Sequence, residues 1–178
     1  MLDARNLFFV DILGPPPGTD VLHGGPSLIQ AVRGVTAAEA IWKPSPDAHS
    51  VWGLVLHSSY WKYVVRNYFE HEESGKFERS GEDWFDLPKN PDEEDWIKDQ
   101  SLWRDEHRKL REAVAKLPPK RWDLIPQGGK KHSYAQLVVA IVSHDAYHTG
   151  QIKSLLQLVK TKKIKARPSV KRVTVVKM

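Results

Sequence analysis

The stretch from Ser133 to Val159, SYAQLVVAIVSHDAYHTGQIKSLLQLV, decides the fold. We predict one long helix here, because its apolar residues recur at helical spacing and Ser133 with Gln136 has the S-x-x-Q form of a capping box. The helix carries His144 and His148, which lie one above the other on the same face because they are four residues apart. Two imidazoles placed in this way can bind one divalent ion without bending the backbone.

Three helical segments are predicted in the first half of the chain. Pro26 and Ser27 begin a short helix that extends to about Val35, and Thr36 caps one further turn. The following KPSPDAHS segment is predicted to be a loop, because its two prolines interrupt a helix. Ser50 then caps a second long helix, VWGLVLHSSYWKYVVRNYFEHEESG, which ends at the glycine in position 75.

A third long helix is predicted from Asp92 to Leu117. Acidic residues occupy its first turn and basic residues follow, an order that suits the helix dipole. Its inner stripe is expected to contain Trp96, Leu102 or Trp103, Leu110, Val114 and Leu117. The connection before it, residues 75–91, is polar and has Trp84 and Phe85 as isolated apolar anchors. Two prolines after Leu117 end the helix.

These patterns predict an all-α protein, a four-helix bundle with at least one long crossover. Residues 1–26 are rich in glycine and proline and are expected to form an irregular lead-in. Residues 160–178 form a basic tail in which β-branched residues alternate weakly, as in an extended edge segment. We therefore expect a bundle domain over residues 1–159, followed by the tail.

Composition limits the class of protein. A chain of 178 residues fits one domain with its own core. It has no run of about 18 apolar residues that would suggest a membrane span, and its first residues lack the features of a signal peptide, so we expect a cytoplasmic protein. The absence of cysteine excludes disulfides, thiolate zinc sites and a cysteine nucleophile.

The net charge of +5 comes from the tail alone. From Lys160 onward there are eight basic residues and no acid, whereas the remaining 19 basic and 22 acidic residues carry a charge of −3. Eight cations without interleaved aromatic residues are a generic signal, most often of a solvated extension. We therefore do not expect a nucleic acid as the partner.

A third histidine, His57, lies on the inner stripe predicted for the second long helix. That stripe consists of Leu54, His57, Trp61, Val64 and Tyr68. A single histidine on an apolar face is more often a hydrogen-bonded core residue than a ligand. Two adjacent buried imidazoles, however, need a partner each, and one divalent ion satisfies both. Three imidazoles from two packed helices would form a half-open site, with the remaining positions left to water or substrate.

The sequence resembles the DinB family of four-helix-bundle, metal-dependent proteins. The resemblance rests on HDAYHTGQI at 144–152, on VWGLVLHSSYW at 51–61 and on HGGPSLIQAVRGVTAAEAIWKPSPDAHS, and it covers roughly residues 20–158. In that family, one histidine of the second helix and an HxxxH pair of the last bind a divalent metal. The resemblance therefore implies His57, His144 and His148 as ligands of one ion, with zinc, nickel or iron expected.

The resemblance also limits the function. Members of the DinB family include metal-dependent hydrolases and transferases that use low-molecular-weight thiols, and they commonly form homodimers. We expect an enzyme that activates water or a diffusible thiol towards a small-molecule substrate. The alternative is a non-catalytic metal- or ligand-binding protein whose site only stabilises the bundle. The absence of a fourth protein ligand favours the enzyme, since it leaves an open position on the ion.

The catalytic residues are not identified by the sequence. Glu106 or Asp105 could act as a general base, although a solvated surface acid is the more common role. Gln151, one turn after His148, is expected to hydrogen-bond to a ligand from outside the coordination shell, and Tyr147 is expected at the pocket rim. The other histidines considered are His107 and His132, expected to be exposed, and His23, a candidate for the pocket mouth.

We predict that the basic tail is dispensable for metal binding. Lysine and arginine cannot ligate an ion through their charged groups, and Lys160 follows His148 by twelve positions, about 18 Å along a helix. Truncation after Val159 should leave the metal content per chain unchanged, as measured by elemental analysis. A truncated protein that folds but purifies without metal would contradict this prediction.

Overall fold

The computed structural model describes residues 3–14, 25–70 and 75–166. Regular structure in these residues is entirely helical, which confirms the all-α prediction. The helices are Ala4–Ile12 (α1), Leu28–Ala31 (α2), Ala37–Ile41 (α3), Val51–Glu70 (α4), Glu93–Lys116 (α5) and Tyr134–Ala166 (α6), and a 3-10 turn at Pro119–Arg121 follows α5. None of the helices described is both long and apolar enough to cross a membrane.

Helices α4 and α5 are parallel neighbours. Near their starts, the Trp52 indole N–H donates to the Asp99 carboxylate at 2.7 Å; near the end of α4, Arg66 pairs with Glu106 at 2.9 Å. A connection between parallel helices must return along the length of the first, which is about 30 Å for the 20 residues of α4. Residues 71–92 make this connection, called the crossover below, and residues 71–74 lie outside the described part.

Helix α6 runs antiparallel to α4, and the core is divided along the bundle. The first apolar cluster includes Trp52 and Leu56 of α4 and Ile152 of α6. The second includes Val65 of α4 and Ile141 of α6. Between the two clusters, α4, α5 and α6 carry buried polar side chains. We call this region the polar layer; its members include His57, Ser58, Lys62, Arg66, Glu106, His148 and Thr149.

The prediction of an irregular lead-in is wrong for its first part, which forms helix α1. Asp3 caps the helix by accepting from the Arg5 N–H at 2.9 Å. The buried Phe9 ring stacks on Trp122 with centroids 4.1 Å apart. The sequence pattern gave little indication of this helix, because it has only nine residues and its apolar Leu7 and Phe8 are exposed. The glycine- and proline-rich residues 15–24, with the candidate His23, lie outside the described residues.

Helix boundaries differ from the predictions at several ends. Helix α2 ends at Ala31, and Thr36 caps α3 with a capping box, as expected. Helix α6 does not stop at Val159 but continues to Ala166, since no helix breaker occurs before that point. The first residues of the basic tail are therefore helical, and its expected extended segment lies outside the described residues.

Two polar residues of α5 are less exposed than predicted: Glu106 is buried and His107 is partly buried. Glu106 is 3% exposed, and its carboxylate pairs with Arg66 and Lys109. The His107 ring stacks on Trp103, with centroids 4.9 Å and planes 9° apart. Its Nδ1 is buried and has no hydrogen-bond partner among the described residues. The predicted inner stripe of α5 is confirmed, because Trp96, Leu102, Trp103, Leu110, Val114 and Leu117 are all buried.

We predict that His107 makes the metal-free protein sensitive to acid. Burial lowers the pKa of His107 well below its ordinary value of 6.5, and nearby Lys62 and Arg111 lower it further. Below about pH 6.5 the unfolded chain binds a proton at this position and the folded chain does not. The free energy of unfolding therefore decreases as the pH is lowered. His107→Phe, which keeps a ring on Trp103, should therefore lose less stability between about pH 7 and pH 5.

Urea unfolding of the wild-type protein and the variant at both pH values measures this difference. The matched control is His132→Phe at an exposed histidine, which should retain the wild-type dependence on pH. Equal dependence in wild type and His107→Phe would contradict the prediction.

Candidate metal centre

The three histidines predicted as ligands lie together in the polar layer. Because α4 and α6 are antiparallel neighbours, His57 of α4 faces the pair formed by His144 and His148 on α6. The Nε2 atom of His144 is 3.0 Å from Nε2 of His57 and 3.1 Å from Nε2 of His148. His57 and His148 are buried, and His144 is partly buried. The structure thus brings all three imidazoles to one point, where they could hold a metal ion.

The crossover determines which ring nitrogen of His57 carries the hydrogen. Its Nδ1 lies 3.1 Å from the main-chain carbonyl oxygen of Asp83 and 3.0 Å from a carboxylate oxygen of the same residue. Both oxygens are acceptors, so Nδ1 must carry the hydrogen and donate it. The Nε2 atom of His57 then keeps an unprotonated lone pair, directed at Nε2 of His144.

The proton of His148 is placed in the same way by its own helix. Nδ1 of His148 lies 2.6 Å from Oε1 of Gln151, while the amide nitrogen of Gln151 donates to the Tyr147 hydroxyl at 3.2 Å. The amide oxygen is therefore the acceptor, Nδ1 carries the hydrogen, and Nε2 keeps its lone pair. The hydrogen bond predicted for Gln151 is present.

His144 completes the arrangement. Its Nδ1 is buried and has no partner among the described residues, and its Nε2 faces the lone pairs of both other rings. One hydrogen on that Nε2 could serve only one of them well. Burial, followed by the neighbouring His148, lowers the pKa of His144 to about 4, and burial also lowers the pKa of His57. Both rings are therefore neutral near pH 7, the form in which imidazole binds a metal.

Two of the three separations between the ligand nitrogens suit a divalent ion, and all three nitrogens lie within 4.8 Å of one another. Two nitrogens that are each about 2.0–2.1 Å from one ion lie about 2.9–3.4 Å apart when the angle between the bonds is about 90–110°. The two Nε2 separations of 3.0 and 3.1 Å fall in this range. The only group of at least three metal-ligating side chains found in the described residues is this one. No fourth protein ligand from those residues joins it.

Aromatic side chains line the mouth of the site. Trp84 of the crossover stacks on His57, with ring centroids 4.1 Å apart and an angle of 9° between the planes. The Trp84 ring also stacks on the exposed His49, with centroids 3.7 Å apart. Trp61 lies 6.1 Å from His144, and Tyr147 lies 5.1 Å from His148, centroid to centroid. Tyr147 is 65% exposed, which agrees with its predicted place at the rim.

A buried ion pair joins α4 and α6 behind the histidines. The carboxylate of Asp145 accepts a hydrogen bond from Ser58 at 2.6 Å and pairs with the ammonium group of Lys62. Lys62 is fully buried, and its Nζ lies 4.8 Å from the centre of the Trp103 ring. Because Asp145 follows His144 directly, this contact fixes where His144 stands relative to α4.

Sequence reasoning missed the parts played by Asp83, Lys62 and Asp145. A lysine and a serine four residues apart beside the apolar stripe of α4 could have indicated a buried carboxylate partner. Asp83 gave no such signal, because the crossover has no periodic pattern. The structure does not bring Asp105 into the site, since its side chain is 59% exposed, and it leaves His132 on the surface.

Comparison with known proteins is consistent with this picture. A family model described as the DinB superfamily matches residues 26–152, a span that contains α4 and all three histidines. No curated protein and no solved structure matches the chain.

We predict that the Lys62–Asp145 pair contributes to stability mainly through the cost of breaking it. Asp145→Ala leaves a buried ammonium group without its carboxylate, which should lower the free energy of unfolding by about 3–5 kcal/mol. Lys62→Met replaces the lysine by an apolar chain of similar length. The double variant should be more stable than Asp145→Ala alone, because no uncompensated charge remains.

Denaturant unfolding of the metal-free proteins measures all four corners of this cycle. Asp105→Ala, which removes an exposed acid, is the control and should change stability little. If the double variant loses as much stability as the two single variants together, the two charges do not interact and the prediction is wrong.

Proposed function

The chain belongs to the DinB superfamily, and from this premise we propose that His57, His144 and His148 bind one divalent metal ion. The observation that carries the proposal is the convergence of three Nε2 atoms. Asp83 and Gln151 hold the protons of two of the rings on the opposite nitrogen, so that both lone pairs are directed at the third ring. Without an ion, this arrangement leaves buried acceptors facing one another. Imidazole ligands without thiolate favour zinc, nickel or iron.

We further propose that the protein is a metal-dependent enzyme acting on a small molecule. Three protein ligands leave coordination positions for water or substrate. A divalent ion at this site would lower the pKa of a water molecule, as in a hydrolase, or of a low-molecular-weight thiol, as in a transferase. The thiol would have to diffuse in, because the chain has no cysteine.

The side chains around the site would orient the substrate and shield it from water. Trp61, Trp84 and Tyr147 offer partly exposed rings next to the three imidazoles, suited to the apolar part of a small molecule. Glu106 is not proposed as a general base, because its carboxylate is bonded to Arg66 and Lys109. Proton transfer would then fall to groups on the substrate or to solvent.

The predicted homodimer, the cytoplasmic location and the boundary between a domain of residues 1–159 and a tail remain predictions. Light scattering of the purified full chain measures the first of them directly.

We expect the wild-type protein to bind one divalent ion per chain. His57→Ala and His148→Ala each remove a ligand and should lose most of the bound metal, as measured by elemental analysis after gel filtration. His132→Ala, at an exposed histidine, is the matched control and should keep the wild-type content. Full metal content in both ligand variants would contradict the proposed site.

Activity screens on the metal-loaded protein distinguish the proposed enzyme from a non-catalytic binding protein. Hydrolytic substrates and electrophiles offered with low-molecular-weight thiols should reveal turnover that chelation abolishes and added metal restores. Turnover that requires a thiol would identify the transferase. A protein that binds its ion but catalyses neither class of reaction would favour the binding-protein alternative.

A further inference from the structure

The crossover contains a strained turn directly above the metal centre. Asp83 has a φ of 60° and is the only non-glycine residue with a positive φ among those described. The turn is closed by the N–H of Trp84, which donates to the carbonyl of Glu82 at 2.6 Å. A three-residue turn of this kind is rare and costs free energy in an L-residue with a side chain. Glycine would adopt the same backbone without this cost.

The strained conformation has a specific result at the site. It directs both the carbonyl and the carboxylate of Asp83 to Nδ1 of His57, at 3.1 and 3.0 Å. The same carboxylate oxygen accepts from the Trp61 indole N–H at 2.7 Å, which holds it in place. Glycine could supply the carbonyl but not the carboxylate.

The next residue holds the plane of the same imidazole. The Trp84 ring lies flat against His57 on one face and against His49 on the other, with interplanar angles of 9° in both cases. His57 is therefore held at its edge by Asp83 and across its face by Trp84. His144 has neither restraint, since its Nδ1 lacks a partner among the described residues.

We propose that Asp83 is a positioning residue for the metal centre, and that Asp83 and Trp84 together form a clasp on His57 that the bound ion strengthens. The inference rests on the proposed metal site. An acceptor on the outer nitrogen of a ligating histidine fixes the tautomer and the ring orientation and makes the inner nitrogen a stronger donor. The energetic coupling is reciprocal: if the clasp strengthens metal binding, the metal strengthens the clasp by the same factor.

The test compares Asp83→Gly and Asp83→Asn with Glu82→Gln in the full-length protein. Asp83→Gly relieves the strain and removes the carboxylate, and Asp83→Asn keeps a side-chain acceptor without the charge. Glu82→Gln removes a charge from the adjacent residue, which is exposed, whereas the carboxylate contact to His57 comes from Asp83. Zinc affinity is measured by competition with a chelator, and Co²⁺ absorption reports the ligand geometry.

We expect Asp83→Gly to bind zinc about 10–100-fold more weakly, with an altered Co²⁺ spectrum, and Asp83→Asn to show a smaller loss. Glu82→Gln should bind as the wild type does. Hydrogen exchange in residues 75–92 should slow when zinc is added to the wild type, and it should slow less in Asp83→Gly. Because glycine suits the turn, the metal-free variant should stay folded, and the loss then reports on the site.

Two failures can be told apart by including His57→Ala. If His57→Ala loses zinc while Asp83→Gly binds it with wild-type affinity and spectrum, the clasp is overturned and the metal site stands. If His57→Ala also keeps wild-type affinity, the proposed metal site itself is wrong.

Discussion

Burying polar groups in mid-bundle is the constraint on which the rest of this structure depends. A charged or polar side chain in a bundle core is costly unless it is fully partnered. Asp145 meets this requirement across the helix interface, by accepting from Ser58 and pairing with Lys62. The contact sets the relative position of α4 and α6, and with it the distance between His57 and His144. The two apolar clusters stabilise the bundle, and the contacts within the polar layer fix how its helices are aligned.

The topology explains why the crossover forms one side of the site, in addition to α4 and α6. Parallel α4 and α5 require a connection that returns along the bundle, and its middle therefore passes the polar layer. In a bundle with short loops, the N–H at Nδ1 of His57 would have to donate its hydrogen bond to water or to a group on a neighbouring helix. In this structure, two oxygens of Asp83 lie within hydrogen-bonding distance of that nitrogen. The longest irregular segment of the described chain thus takes part in the site.

Helical phase allowed much of this to be predicted from sequence. The spacing of His144 and His148 and the helical phase of His57 predict that the three rings meet. The rest of the stripe predicted for α4 is less accurate, because Trp61 is exposed and Val64 and Tyr68 are only partly buried. The same reasoning failed for Glu106 and His107, because it treats charged and polar residues as solvent-facing and cannot see a partner on another helix. It also failed for α1, whose short length gives little periodicity. The role of Asp83 depends on a backbone turn that no pattern of side chains encodes.

The small helix α1 has a consequence for the order in which the protein is assembled. The buried amide of Asn6 donates to the carbonyls of Ala115 and Leu117 at 2.8 Å and accepts from the Trp122 indole at 2.9 Å. These partners are more than a hundred residues away along the chain. During synthesis, at about 5–20 residues per second, α1 leaves the ribosome roughly 5–20 s before the surface it covers. Helix α1 can therefore dock only after the end of α5 and Trp122 have been synthesised.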